Sequence, residues 1–233
     1  MIRWEAEGYE VAFTTRAGGV SEGPYASLNL GRKSGDDVGH VDENRRIACE
    51  AIGADLEKLA LNYQVHSARV LRAVAARRGE HADGLWTDEP GLPVLAMSAD
   101  CLPIVLARTR EDEPAVAVLH AGWKGLLAGI VEAGVHALGG GTLKAAIGPA
   151  IGPCCYEVGE EVASPYRERF GDDVVRERHL DLWTSAERAL RAAGVEQVDR
   201  FDRCTACEPE TFYSHRRDAG RTGRQGVIAY VAG

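Results

Sequence analysis

Two neighbouring stretches decide how this chain is read: Val94-Leu-Ala-Met-Ser-Ala-Asp-Cys-Leu-Pro-Ile-Val-Leu-Ala107 and Ala115-Val-Ala-Val-Leu-His-Ala-Gly-Trp-Lys-Gly125. Residues 94–98 and 102–107 are apolar runs of strand length, and they bracket Ala99-Asp100-Cys101. Residues 115–119 are almost continuously apolar, as in a strand buried on both faces. From Trp123 a helix is expected to run to Leu138, stopped by Gly139-Gly140-Gly141.

The pattern continues outward. Residues 11–16 read as a strand ended by Gly18-Gly19, residues 21–25 as a turn-rich loop and residues 27–31 as a short extended piece. Asp42 is placed to cap a helix of three turns ending near Gly53, with Ile47, Ala48, Ala51 and Ile52 as its apolar face. Residues 59–66 and 69–75 are expected strands, and residues 82–88 a loop. A buried strand at 143–147, a helix at 159–170, a helix capped by Asp181 and stopped by Gly194, and a closing strand at 227–231 complete the chain. No internal repeat or linker interrupts it. Alternation of strands and helices favours one compact α/β domain over residues 1–233.

The bulk numbers exclude some partners. The net charge of −8 argues against nucleic acid or an anionic membrane surface as the main partner. No apolar run reaches membrane-spanning length, and Met-Ile-Arg-Trp-Glu-Ala-Glu at the start has no secretory apolar core. A cytoplasmic protein acting on a small molecule is expected, and the oligomeric state is not legible. Six cysteines in that compartment point to metal binding, catalysis or burial rather than disulfides.

Three residues at or just past the ends of strand-like runs carry the chemistry: His66, Cys101 and His120. Two imidazoles and a thiolate form a borderline-soft ligand set. Three protein ligands leave the open fourth position that a catalytic zinc needs. Their separations of 35 and 19 residues exclude a zinc finger, whose ligands come in close pairs. The competing reading of His120 is a core histidine bonded to a carbonyl, and of Cys101 a buried inert thiol. Asp100 beside Cys101 is a candidate to orient a ligand histidine or to act as general base. Strand alternation would put Gln64 and His66 on one face. The helix start after His120 offers free N–H groups to an anion, beside Gly122 and Lys124.

The arginine- and glycine-rich tail from Phe212 to Arg224 is either a solvated loop or a phosphate or carboxylate site, and Arg16 can serve the same anion. Cys204-Thr-Ala-Cys207 is a lone Cys-x-x-Cys with no second pair at the usual spacing. Cys154-Cys155 reads as packing around a pocket wall, and Cys49 as a buried helix residue.

Eight motifs then appear in order: residues 14–21 (TTRAGGVS), 27–31 (SLNLG), 64–67 (QVHS), 82–87 (ADGLWT), 99–103 (ADCLP), 120–125 (HAGWKG), 147–159 (IGPAIGPCCYEVG) and 212–218 (FYSHRRD). Together they resemble the YfiH, or laccase-domain, family over nearly the whole chain. The resemblance implies a layered α-β-β-α sandwich and a zinc site made by His66, Cys101 and His120, with Asp100 beside it. Arg16, Asn29, Gln64, Asp83, Lys124, Tyr156, His215 and Arg216 are the expected substrate contacts. Lys124 stands where many members have arginine, which keeps the charge and loses the bidentate fork. Cys207 looks like an addition to the family pattern.

The same resemblance implies phosphorolysis of adenosine, inosine or methylthioadenosine, and adenosine deamination. Peptidoglycan-precursor editing by an amidase, copper-dependent polyphenol oxidation and a non-catalytic metal-binding module are the alternatives. Copper oxidase chemistry fits poorly. The chain has seven histidines, no two separated by a single residue, and only Met1 and Met97 as axial thioethers. Zinc with an open position suits deamination directly, and phosphorolysis needs an additional phosphate site.

Overall fold

The computed structural model describes residues 1–109 and 113–233. In chain order the elements are β1 (Ile2–Arg3), β2 (Tyr9–Phe13), α1 (Val38–Glu50), β3 (Ala60–Tyr63), β4 (Val70–Arg72), β5 (Arg78–His81), β6 (Gly84–Thr87), β7 (Val94–Ser98), β8 (Leu102–Arg108) and β9 (Ala115–Ala121). There follow α2 (Trp123–Leu127), α3 (Ile130–Ala137), β10 (Leu143–Ile147), α4 (Glu160–Phe170), β11 (Val175–Arg176), β12 (His179–Leu180), α5 (Leu182–Ala192), β13 (Gln197–Arg200) and β14 (Gln225–Val231). One six-stranded sheet runs β1-β2-β14-β7-β3-β5, the other β13-β10-β8-β9-β6-β4, and β11 and β12 form a small ribbon.

Alternation along the strands builds the layers. In β9, Ala115, Ala117 and Leu119 join the cluster formed with Leu126, Ile130, Tyr166 and Leu190 of the helices. Val116 and Val118 point the other way and meet Val11, Val94, Ala96 and Val227 of the first sheet. The outer face of that first sheet, Ala12, Leu61, Leu95 and Ile228, packs on Ala48 and Cys49 of α1. The order is therefore helix, sheet, sheet, helices, the expected α-β-β-α sandwich, and β9 is buried on both faces as its sequence requires. Among the described residues no helix is long and apolar enough to cross a membrane.

Several local expectations are corrected. The cap of α1 is Asp37, which accepts from the Gly39 and His40 amides, whereas Asp42 lies inside the helix and pairs with Arg32. Residues 82–88 are not simply a loop: β6 lies within them and pairs with both β4 and β9. The strand expected over 59–66 ends at Tyr63. Beyond it the Gln64 amide takes over the pairing, bonding both the N–H and the carbonyl of Met97, and His66 adopts φ of 60°. The alternation argument for Gln64 and His66 therefore lapses. The edge strands β5 and β13 give no strand signal in the sequence. Both are polar and partly solvated, so they lack the apolar signature.

The helix expected from Trp123 to Leu138 is two helices, broken at Gly129 with φ of 91°. This sets a sign. In a continuous helix, Gly129→Ala would stabilise by about 1 kcal/mol. With Gly129 left-handed, we expect destabilisation of about 1 kcal/mol, read as a lower denaturant midpoint at unchanged slope. A higher midpoint would restore the single helix.

Candidate metal centre

The centre forms where the chain crosses from β7 in one sheet to β8 in the other. His120 follows Val116 and Val118 on the face of β9 that looks into the sandwich. It lies inside the strand, one residue before its end, rather than past it. Cys101 sits between β7 and β8, after Asp100, whose φ is 90°. His66 lies in the turn after β3. The ligand atoms of His66, Cys101 and His120 lie within 4.8 Å of one another. The Cys101 Sγ is 3.9 Å from His66 Nε2, and the two imidazole rings meet edge to face at 4.9 Å. Gly122 leaves the necessary room. A Cβ there would stand 2.8 Å from Cys101 Sγ and 2.9 Å from His66 Cδ2.

Asp83 organises this arrangement. Its side chain is wholly buried and accepts from His120 Nδ1 at 2.9 Å, from the amides of His66 and Ser67 at 2.9 and 2.7 Å, and from Ser67 Oγ at 2.7 Å. The Val65 amide adds a longer contact at 3.1 Å. One carboxylate thus holds the His66 turn and fixes the His120 ring with Nε2 free to ligate, the usual carboxylate–histidine–metal relay. The orienting task expected of Asp100 falls to Asp83. Asp100 instead accepts from Thr205 Oγ1 at 2.6 Å and from the Arg216 amide at 2.7 Å, so it anchors the loop that carries Arg216.

The titrations reflect this packing. Burial alone would raise Asp83, but the hydrogen bonds from His120 and Ser67 prevail and hold its carboxyl well below the usual range. Burial would likewise raise Cys101, yet the His120 charge and the bonds from both imidazoles lower it to about 6. Against burial, Cys101 and Asp83 lift His120 to about 9. The metal-free centre near neutrality is thus a thiolate–imidazolium pair. A metal needs the thiolate and a neutral imidazole, so between pH 6 and 9 binding must expel the His120 proton. Apparent zinc affinity is expected to rise about tenfold per pH unit across this window, flatten above it and fall more steeply below it. Competition with a chromophoric chelator measures this, and a flat profile between pH 7 and 8 would refute it.

The triad, with Asp100, Gln64, Tyr156, His215 and Arg216, lines a cavity of about 600 Å³. Four expected substrate contacts lie elsewhere. Arg16 donates to the carbonyls of Ala26 and Pro209 and lies over the Tyr213 ring, bracing loops. Asn29 is buried, bonding Ser34 and Asp36 and accepting from the amides of Gly31 and Arg224. Lys124 reaches over Trp123 rather than into the cavity, and Asp83 stands behind His120. The helix start expected to hold an anion belongs to α2, which has only five residues. Arg32, Lys33, Arg78 and Arg224 line the cavity instead, together with Trp123 and Ser98. Arg224 falls in the arginine-rich tail already singled out. Arg78 lies on an edge strand, and its sequence carries no signal. The Ser98 hydroxyl is buried with no protein partner.

A layered α/β sandwich with a candidate His–Cys–His ligand set at the crossing between its sheets defines the class: a protein built around a candidate metal centre, opening on a cationic cavity. The chain belongs to the multi-copper polyphenol oxidoreductase laccase family, whose model matches residues 10–232. It is 37% identical to purine nucleoside phosphorylase YfiH of Escherichia coli K12, covering 97% of this chain and 96% of that protein. It is 41% identical to a purine nucleoside phosphorylase of Deinococcus radiodurans, over 93% and 87%. The crystal structure of YlmD from Geobacillus stearothermophilus superposes with a TM-score of 0.90 at 35% identity, covering 97% of this chain and 93% of that one.

Proposed function

We propose that this enzyme is a zinc-dependent purine nucleoside phosphorylase that also deaminates adenosine, acting in the cytoplasm on adenosine, inosine or methylthioadenosine. The observation that carries the reading is the three-ligand set exposed to a cavity rimmed by arginines. Relatives over nearly the whole chain bear the name purine nucleoside phosphorylase. The donor set favours zinc over the copper of the family's name. Of the seven histidines, only His66 and His120 join a metal-ligand group among the described residues, and multi-copper clusters need many more.

When bound to His66, Cys101 and His120, zinc supplies Lewis acidity at its open fourth position. The remaining tasks fall to the chain. In phosphorolysis an oxygen of hydrogen phosphate bonds to the anomeric carbon as the glycosidic C–N bond breaks, and the proton that the phosphate gives up ends on the departing base. Arg78 and Arg216 offer guanidinium forks for the phosphate. Tyr156, with Arg216 over its ring at 5.1 Å, and Trp123 offer faces to the purine.

The test is turnover of adenosine and inosine by zinc-loaded protein, with and without phosphate, following base, sugar phosphate and ammonia. No release of base or ammonia would end the reading. Ser98 sharpens it. Deleting a buried hydroxyl without a partner leaves stability unchanged or slightly raised. If that hydroxyl bonds the nucleoside, Ser98→Ala raises KM by about tenfold. An unchanged KM would remove Ser98 from the substrate site.

A further inference from the structure

We propose that Cys154, Cys155, Cys204 and Cys207 form a second metal site, a tetrathiolate that holds one zinc ion and ties two surface turns together beside the cavity. The four sulfurs come from turns fifty residues apart in the chain, yet they all lie within 4.8 Å of one another. Cys207 Sγ is 3.5 Å from Cys154 Sγ and 3.4 Å from Cys155 Sγ, and all four thiols are free. Four thiolates at about 2.3 Å from a tetrahedral zinc stand roughly 3.8 Å apart. The observed spacing brackets that value. It is too compact for a multi-iron cluster, which spreads its thiolates over a wider cage.

The backbone is shaped for the same purpose. The Cys155 amide bonds back to the Gly152 carbonyl at 2.9 Å, and the Cys207 amide to the Cys204 carbonyl at 3.2 Å, so each cysteine pair sits on a tight turn. The Gly152 amide donates to Cys204 Sγ at 3.3 Å, the kind of outer contact that steadies a thiolate ligand. Ala150 and Cys204 form a parallel bridge across the two segments, the Ala150 amide donating to the Arg203 carbonyl and the Thr205 amide to the Ala150 carbonyl.

Both turns lead into the cavity. Tyr156, next to Cys155, lines it, and Thr205, next to Cys204, donates to Asp100 at 2.6 Å. An ion among the four sulfurs clamps the wall that carries these groups, a structural role suited to a closed four-ligand site. The inference concerns sulfurs that the nucleoside chemistry does not use, so it stands independently of the proposed activity.

Full-length chain purified under reducing conditions without chelator tests it by elemental analysis and by cobalt substitution. The expected result is two zinc ions per chain in the wild type, one in Cys204→Ser and Cys207→Ser, and one in His66→Ala. In His66→Ala the cobalt form shows the intense sulfur-to-cobalt absorption of four thiolates, and chelation lowers its melting temperature. Metal-free His66→Ala protein would overturn the inference, even if the serine variants fail to fold. So would a non-reduced intact mass two daltons light, marking a disulfide, with no second ion.

Discussion

Replacing Asp83 with alanine is expected to destabilise the protein by about 3–5 kcal/mol and to weaken zinc binding by about 10–100-fold. The carboxylate is fully buried and accepts the His120 Nδ1–H, the Ser67 hydroxyl and the amides of residues 65 to 67. Alanine leaves those donors buried and unpaired. Each unsatisfied group costs about 1–3 kcal/mol, and local relaxation keeps the total below their sum. For a chain of this size the melting temperature should fall by about 6–20 °C. Measuring the metal-free form separates the two effects, since the stability loss persists there. The affinity loss has a distinct origin: the His120 ring is no longer fixed with Nε2 towards the site, and the His66 turn loses its anchor. Wild-type stability and wild-type zinc affinity in Asp83→Ala would show that the centre is organised otherwise.

Cys101→Ser should abolish turnover while leaving the fold intact. Serine keeps the volume, but its hydroxyl does not ionise near neutrality and is a poor ligand for a borderline-soft ion. The anionic ligand is lost, and with it one of the two partners that lift His120, Asp83 being the other. Zinc affinity is expected to fall by more than about 100-fold and turnover of adenosine with phosphate by about 1,000-fold or more. Steady-state kinetics on the metal-saturated variant, with its zinc content measured alongside, read both effects. Full activity in a zinc-free Cys101→Ser preparation would detach the chemistry from the centre.

Much of this is legible in the amino-acid sequence. The central strands β7 to β10 are apolar enough to announce themselves, because burial on both faces demands it. His66, Cys101 and His120 stand out as polar groups at the ends of such runs, and ligand chemistry alone proposes grouping them. Elements that lie at an edge or depend on a single backbone torsion were less visible. Edge strands β5 and β13 carry polar sequences, and the break at Gly129 depends on a left-handed residue that a glycine permits but does not require.

What the sequence by itself determined is therefore the buried strand core, the α/β class and the choice of His66, Cys101 and His120 as candidate ligands. Each of these is written in the apolar periodicity of one segment, or in the chemistry of one side chain. What only the tertiary structure decided is partnership. Asp83 rather than Asp100 orients His120, Arg78 rather than Arg16 reaches the cavity, and the vicinal cysteines supply the second pair that Cys204 and Cys207 lack in sequence. The physical reason is that hydrogen bonds and metal ligation act over about 3 Å between groups whose separation along the chain is arbitrary, and local periodicity carries no record of which distant groups meet.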